Sequence, residues 1–256
     1  MVYSPIVTPK AVRGWASRSF DLGTHTYDLN DFYSPDTELY KSKVLDLVSP
    51  KYIPNKAYVF DKSKYGNHGT ITGPTWVQLP SGIWVLYFDG TNDKVVFTFT
   101  PNIDLGDVDT YTIIVWAKGD DFQGAVDRRI FDIGNSGNAT PTVLIDFENG
   151  KVRSGHRDDA SNLALLTATA LDDTWYHIAL VRRAANSFEL YLDGVSKDTD
   201  ATVVGDTALD GIQLGEIVQS GLSDLGGYIG GVRIVTRAFT TTEVRQDRDM
   251  TAWGYQ

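Results

Sequence analysis

Asp146 and Glu148 stand two residues apart in the segment Leu144-Ile-Asp-Phe-Glu148. On an extended strand, alternate side chains leave by the same face, so both carboxylates would project together. Paired carboxylates are the minimum for acid and base work on a glycosidic bond, which needs two at a defined separation. Strand spacing alone is a weak signal of that chemistry, and solvent-facing strand carboxylates are the plainer expectation. His68 lies in Gly66-Asn-His-Gly69, where bonding to loop carbonyls is expected. His177 alternates with core positions and reads as a packed or cross-strand residue. No serine–histidine pairing can be assigned, and no His-x-x-x-His or phosphate loop occurs. The absence of cysteine removes disulfides, thiolate metal sites and cysteine nucleophiles. Enzymatic activity is not expected.

The elements that must carry these groups are strands. In Trp175 to Gly194, Ile178 and Leu180 alternate with His177, Ala179 and Val181. After Ala184-Ala-Asn-Ser187, Phe188, Leu190 and Leu192 alternate with Glu189, Tyr191 and Asp193. Period-two runs on both sides of a short connection predict an antiparallel hairpin with one face on a core. Asp193-Gly194 and Asn149-Gly150 have the residue types of tight two-residue turns. Tyr111 to Ala117 is almost continuously apolar and is expected mid-sheet, buried on both faces. Thr240-Thr-Thr-Glu243 fits a capping box, so a helix of about two turns should follow, to near Asp249. Some twelve short strands with turn punctuation and one terminal helix predict an all-β, two-sheet antiparallel sandwich of 43–256.

Residues 1–42 have another character. Turn signals such as Ser34-Pro-Asp36 separate large apolar groups, among them Val12, Trp15, Phe20, Tyr27, Phe32 and Tyr33. That is too much apolar surface for a solvated tail, so an extended arm is expected that lies against its own domain or docks on a protein partner, the docking segment being the reading adopted. The net charge of −10 disfavours nucleic acid and anionic membranes as partners and suits solubility. No apolar run is long enough to cross a bilayer, and Met1 to Lys10 has no basic region leading into an apolar block, so no secretory signal is expected.

Several blocks together resemble a known family. They are Asp61-x-Ser-x-x-Gly-Asn-His-Gly69, Gly73-x-x-Trp76, Tyr87-Phe-Asp-Gly-x-Asn-Asp93, Tyr111-Thr-Ile-Ile-Val-Trp116, the Trp175–Gly194 hairpin, and Gly230 to Val244. In this order and spacing they resemble a concanavalin A-like, laminin G-type jelly roll over about residues 43–250. Glycines 66, 69 and 73 suit turns of positive φ. Trp76, Trp116 and Trp175 suit the space between two sheets.

The resemblance implies more than a fold. Many such domains hold a structural calcium ion, and Asp61, Asn67, Asn92 and Asp93 occupy loops that could supply its oxygens. No cofactor is required, however, and turn-forming Asp and Asn are the alternative. Relatives often carry an acidic residue before the Val-Arg-Ile strand, where this chain has Gly230 and Gly231. The fold class also includes glucanases with a Glu-x-Asp-x-Glu strand, whose first carboxylate position is Leu144 here. Lectin-like sites combine aromatic faces with loop Asp, Asn and Arg, for which Tyr65, Phe122, His156, Arg157, Asp158 and Asn162 are the candidates.

The leading functional expectation is a non-enzymatic structural or interaction protein on a virion surface, such as a phage capsid decoration or fibre-associated component. The arm would bind other copies or a capsid or fibre protein. The alternative is a carbohydrate-binding adhesion module of a secreted or cell-surface protein, with surface glycans as partners.

Overall fold

Short alternating segments separated by turns pair into antiparallel ladders throughout this computed structural model, which describes residues 20–21, 26–27, 41–106, 108–219 and 223–256. The chain divides into two units, Met1–Lys41 and Ser42–Gln256. In the first, β1 (Phe20–Asp21) pairs with β2 (Thr26–Tyr27), setting Phe20 opposite Tyr27. The other residues expected to form a docking arm, Val12, Trp15, Phe32 and Tyr33, lie outside the described residues.

The second unit contains two sheets. In chain order its strands are β3 (Lys43–Leu47), β4 (Tyr58–Val59), β5 (Gly69–Thr72), β6 (Thr75–Gln78), β7 (Trp84–Asp89), β8 (Lys94–Phe97), β9 (Tyr111–Gly119) and β10 (Arg128–Asn135). They continue with β11 (Asn138–Glu148), β12 (Lys151–Arg157), β13 (Leu163–Thr169), β14 (Tyr176–Ala184), β15 (Ser187–Leu192), β16 (Val195–Asp200), β17 (Gly211–Leu214) and β18 (Gly226–Val235). The first sheet runs β13-β12-β11-β10-β17-β8-β5-β4. The second runs β16-β15-β14-β9-β18-β7-β6, with β3 also on β18. Non-consecutive neighbours in both sheets agree with a jelly-roll sandwich, as expected from the sequence.

The core lies between the sheets and follows the alternation. Phe131, Val143, Ile145, Phe147 and Val152 from the first sheet join Ile113, Val115, Ile178, Leu180, Phe188 and Leu190 from the second. β9 is buried from Tyr111 to Ala117, as its continuous apolar run requires. Asn149-Gly150 and Asp193-Gly194 take paired positive φ values, 51° and 67° then 53° and 74°. That is the turn geometry whose twist matches antiparallel strands. Gly66 and Gly73 also have positive φ, but Gly69 does not. Its reason is space, because a Cβ there would lie 2.6 Å from Val95 Cγ1.

A second apolar cluster covers the outer face of the second sheet. Helix α1 (Thr241–Thr251) begins in the expected capping box and leads into a 3-10 turn, Ala252–Gly254. Tyr255 then stacks on Trp116 with ring centroids 4.4 Å apart, and Trp116 Nε1 donates to Thr251 Oγ1 at 2.8 Å. Trp116 and Trp175 belong to this outer cluster, not to the space between the sheets. They lie where His177 lies, on the face that alternation turns away from the core. Trp76 does pack against the main core. Gly230 admits the Tyr255 ring, which a Cβ would meet at 2.3 Å, and Tyr255 Oη accepts from Gly231 N at 2.7 Å. The C-terminal tail accounts for Gly230, whereas a Cβ at Gly231 would come 3.2 Å from the Leu47 carbonyl oxygen on β3.

Beneath α1, buried charges are paired. Lys43 Nζ and Arg233 Nε both donate to Asp46, at 2.9 and 3.0 Å, while Arg233 also meets Asp247. Burial and the neighbouring Arg233 charge push the Lys43 ammonium down to about 8. His177 Nε2 lies 3.1 Å from Asp247 Oδ1 and is the packed residue that its position predicted.

Candidate functional site

On the outer face of the first sheet, strand register assembles residues from β10 to β13 into cross-strand rows. One row is Gly134, Thr142, Arg157 and Leu163; the next is Asp132, Leu144, Gly155 and Leu165; a third is Arg129, Asp146, Arg153 and Thr167. Successive rows are two residues apart along β11, β12 and β13, about 6.6 Å, while a bulge on β10 puts Arg129 three residues before Asp132. Gly134 and Gly155 place no side chain in the first two rows, where Val218 packs over Gly134 and the Leu163 and Leu165 side chains lie beside Gly155. Across these rows lies a cavity of about 270 Å³, lined by Gly134, Asp132, Thr142, Leu144, Arg153, Arg157, Leu163 and Leu165 among others. Gly155 is also forced by packing, since a Cβ would come 2.7 Å from the Ala164 carbonyl oxygen.

The floor at one end is an ionic network. Arg153 grips Asp146 with two bonds, Nε to Oδ1 at 2.7 Å and Nη2 to Oδ2 at 2.8 Å. The same guanidinium reaches Asp127 Oδ1 at 2.8 Å and Glu148 through Nη1. Burial opposes the Arg153 charge, but Asp146, Asp127 and Glu148 outweigh it and raise its pKa. Burial, with Asp127 close by, lifts the Glu148 carboxyl above its ordinary range. Burial likewise raises Asp132, which accepts from Thr142 Oγ1 and Val218 N, both at 2.9 Å.

Donors are left over. Arg129 is 5% exposed, and its Nε and Nη1 have no hydrogen-bond partner among the described residues. Its Nη1 lies 3.4 Å from Asp146 and 3.7 Å from Asp132, which is charge proximity without a hydrogen bond. Arg157, half-buried at the other end, has no side-chain hydrogen bond or ion pair among the described residues.

The structure redistributes the residues that the sequence singled out. Asp146 and Glu148 do share a face, but Asp146 is 0% exposed and not solvent-facing, because Arg153 and Arg129 cover it. Tied to one arginine, the two are not a free acid and base pair. Of the six glycan candidates, Arg157 reaches the groove. His156, one residue earlier, faces the core, between Tyr111 Oη at 3.0 Å and Thr207 Oγ1 at 2.9 Å. Burial, aided by the Arg182 charge, holds it down to about 3. β12 extends to Arg157 where a loop was expected, so adjacent residues there must face opposite sides. Phe122 is a core residue stacked on Phe147 at 4.4 Å. Asp158 is consumed locally by Asn162 N, Asn162 Nδ2 and Gly205 N at 2.8–2.9 Å. Tyr65 sits in the Asp61–Gly69 loop under Lys64 Nζ, 4.8 Å from its ring centroid.

The four calcium candidates form two separate turns. Asp61 accepts from Asp46 N, Ser63 N, Ser63 Oγ and Asn67 N at 2.6–2.8 Å, which fills its carboxylate. Asn67 donates to Val44 O and belongs to the same turn, at the Gly69 end of β5. Asp93 accepts from Asp89 N at 2.9 Å and packs on Gly73, past the other end of that strand. Asn92 is beside it, in a turn of positive φ. Four strand residues, about 13 Å, separate the two turns. His68 accepts from Asp61 N at Nδ1, 3.2 Å, in place of the expected bonds to carbonyls.

Asp127, Arg129, Asp132, Thr142 and Arg153 were missed by the sequence reading. One signal was available: a two-residue turn at Asn149-Gly150 fixes a register that sets Asp146 opposite Arg153. A competing surface on the second sheet carries Tyr87, Tyr228 and Trp175. Their rings pack on one another at 4.8 and 6.1 Å, and Lys118 Nζ lies 4.6 Å over Tyr228, so these rings pack mainly among themselves.

The model of the Laminin_G_3 family, described as concanavalin A-like lectin/glucanases superfamily, matches residues 89–245. No curated protein sequence matches. The fold is similar to the binding domain of Paraclostridial Mosquitocidal Protein 1, with TM-score 0.67 and 13% identity over 83% of this chain and 53% of that one. It is also similar to the botulinum neurotoxin serotype D ligand binding domain in complex with N-acetylneuraminic acid, with TM-score 0.65 and 14% identity over 84% of this chain and 54% of that one. The receptor binding domain of botulinum neurotoxin D gives TM-score 0.64 at 13% identity, covering 82% and 53%. The chain spans about half the length of these structures.

Proposed function

This chain belongs to the concanavalin A-like lectin/glucanases superfamily, and we propose that it is a non-enzymatic recognition module that binds a saccharide in the groove on its first sheet. The groove itself carries the reading. The cavity sets the apolar sides of Leu163 and Leu165 beside the Arg157 guanidinium, which has no partner among the described residues. Sugars present both C–H faces and hydroxyls, and a mixed lining of this kind serves both. The names of the similar structures, binding and receptor-binding domains of toxins and one complex with a sugar acid, support the same class. Catalysis is not part of the proposal, because Asp146 and Glu148 are both held by Arg153.

A glycan array tests the reading, followed by calorimetric titration of the best ligand. We expect saturable binding that Leu165→Asp weakens at least tenfold, with no hydrolysis of the bound sugar. Silence across the array, or sugar binding untouched by any groove substitution, would overturn it. As its setting we propose attachment to a virion or cell surface through the segment before Ser42, on the strength of that segment's apolar residues. A chain lacking residues 1–41 that still joined its particle would remove that setting.

A further inference from the structure

We propose that the saccharide bound in this groove is acidic, carrying a carboxylate that the Arg157 guanidinium engages. The inference rests on the proposed saccharide-binding function and deepens it. It follows from which hydrogen-bonding groups the protein has already used. The carboxylates around the groove have partners of their own: Asp146, Asp127 and Glu148 share Arg153, and Asp132 takes Thr142 and Val218. A ligand that offered mainly donors would find those acceptors occupied. The accessible donor that remains is the whole Arg157 guanidinium, since Nε and Nη1 of Arg129 also lack partners among the described residues but are buried. A ligand that supplies acceptors gains most from such a site, because hydrogen bonds to a charged donor are the strong ones.

The two arginines are not equivalent. Arg129 lies in the row with Asp146, close to two carboxylates, so an anion there would meet opposing charge. Arg157 is two rows away, beside Gly134, Thr142 and Leu163, and the nearest carboxylate of the groove, Asp132 in the next row, is already held by Thr142 Oγ1 and Val218 N. The Arg157 end is therefore the positive pole of the groove, and its planar fork suits a carboxylate held by two parallel bonds. The net charge of −10 does not override this local arrangement, since exposed charges beyond about 8 Å are screened at physiological salt.

The test titrates the full chain with sialyllactose, an oligogalacturonate, the methyl esters of both, and neutral lactose and cello-oligosaccharide. We expect at least one carboxylated sugar to bind more tightly than its ester, with an affinity that falls as salt rises. Arg157→Gln should weaken that ligand by about ten- to a hundredfold, the worth of a charge-assisted bidentate contact. Lys151→Gln, on the same strand but outside the groove, should leave it unchanged. Arg157 has no partner to lose among the described residues, so an unaltered Tm in Arg157→Gln will show that the fold is intact. Equal binding of acid and ester, or of neutral sugars with no effect of Arg157→Gln, would overturn this inference and leave saccharide binding standing. No binding of any saccharide here or on the array would overturn both.

Discussion

Asp146 lies on the open side of a sheet and is nevertheless wholly buried, because two arginines cover it. Arg153 lies across it, satisfies both oxygens, and reaches outward to Asp127 and Glu148. Removing Arg153 takes away both hydrogen bonds and leaves water and the Arg129 charge as partial compensation. We expect Arg153→Ala to destabilise the protein by about 3 kcal/mol, the low end for breaking a buried pair, because Arg129 remains close. Urea denaturation measures it, and a loss below about 1 kcal/mol would mean that Asp146 is not buried as an ion. This residue pair was legible in the sequence: the Asn149-Gly150 turn sets Asp146 against Arg153 by counting outward. Arg157 was named for a loop site and proved to be a groove residue, whereas His156 beside it was named wrongly. Once β12 continues to Arg157, the period of two separates them.

At the scale of elements, the strands were readable wherever both faces had a clear assignment. The Trp175–Gly194 hairpin puts Ile178, Leu180, Phe188, Leu190 and Leu192 into the core, as its alternation required. The capping box at Thr240–Glu243 starts the helix where expected, and the helix runs to Thr251, beyond the predicted Asp249. How the edges are closed was not readable. β13 and β16 are the edge strands of different sheets, yet Asp200 Oδ2 accepts from Leu165 N at 3.1 Å and Asp198 Oδ2 from Thr167 N at 2.9 Å. Carboxylates from one edge thus occupy the free N–H groups of the other, where a further strand could add. We expect Asp198→Ala with Asp200→Ala to cost at least about 2 kcal/mol, roughly one for each bond to the other edge, with the local bonds from Thr199 N and Thr202 N lost as well. The freed edge should also promote self-association. Denaturation and light scattering together read this, and an unchanged, monodisperse double variant would show that the contacts do nothing.

The whole molecule is built to keep two histidines neutral. His156 and His177 are each held down to about 3, chiefly by burial, while in an unfolded chain they titrate near 6.5. Their folded values are depressed, so the unfolded chain takes up these protons first. Stability is unaffected by them above about pH 6.5 and is lost as pH falls from there toward 3. Asp132 and Glu148, raised in the fold, act in the opposite direction as they protonate. We expect Tm to decline from pH 6.5 to 4.5, at up to ~1.4 kcal/mol per pH unit for each histidine. A Tm that stayed level across that window would mean the two rings are not buried uncharged. By itself the sequence determined the all-β class, the two Asx-Gly turns, the helix start and the core face of each clear strand. Those features are set within a few residues, by a period of two, by backbones that tolerate positive φ, and by a cap three residues from its partner. Tertiary structure alone decided that Tyr255 covers Trp116 and that Gly134, Arg129, Leu165 and Arg157 line one groove. These are contacts between strands and a tail far apart in the chain, and sheet order and register, not local preference, bring them together.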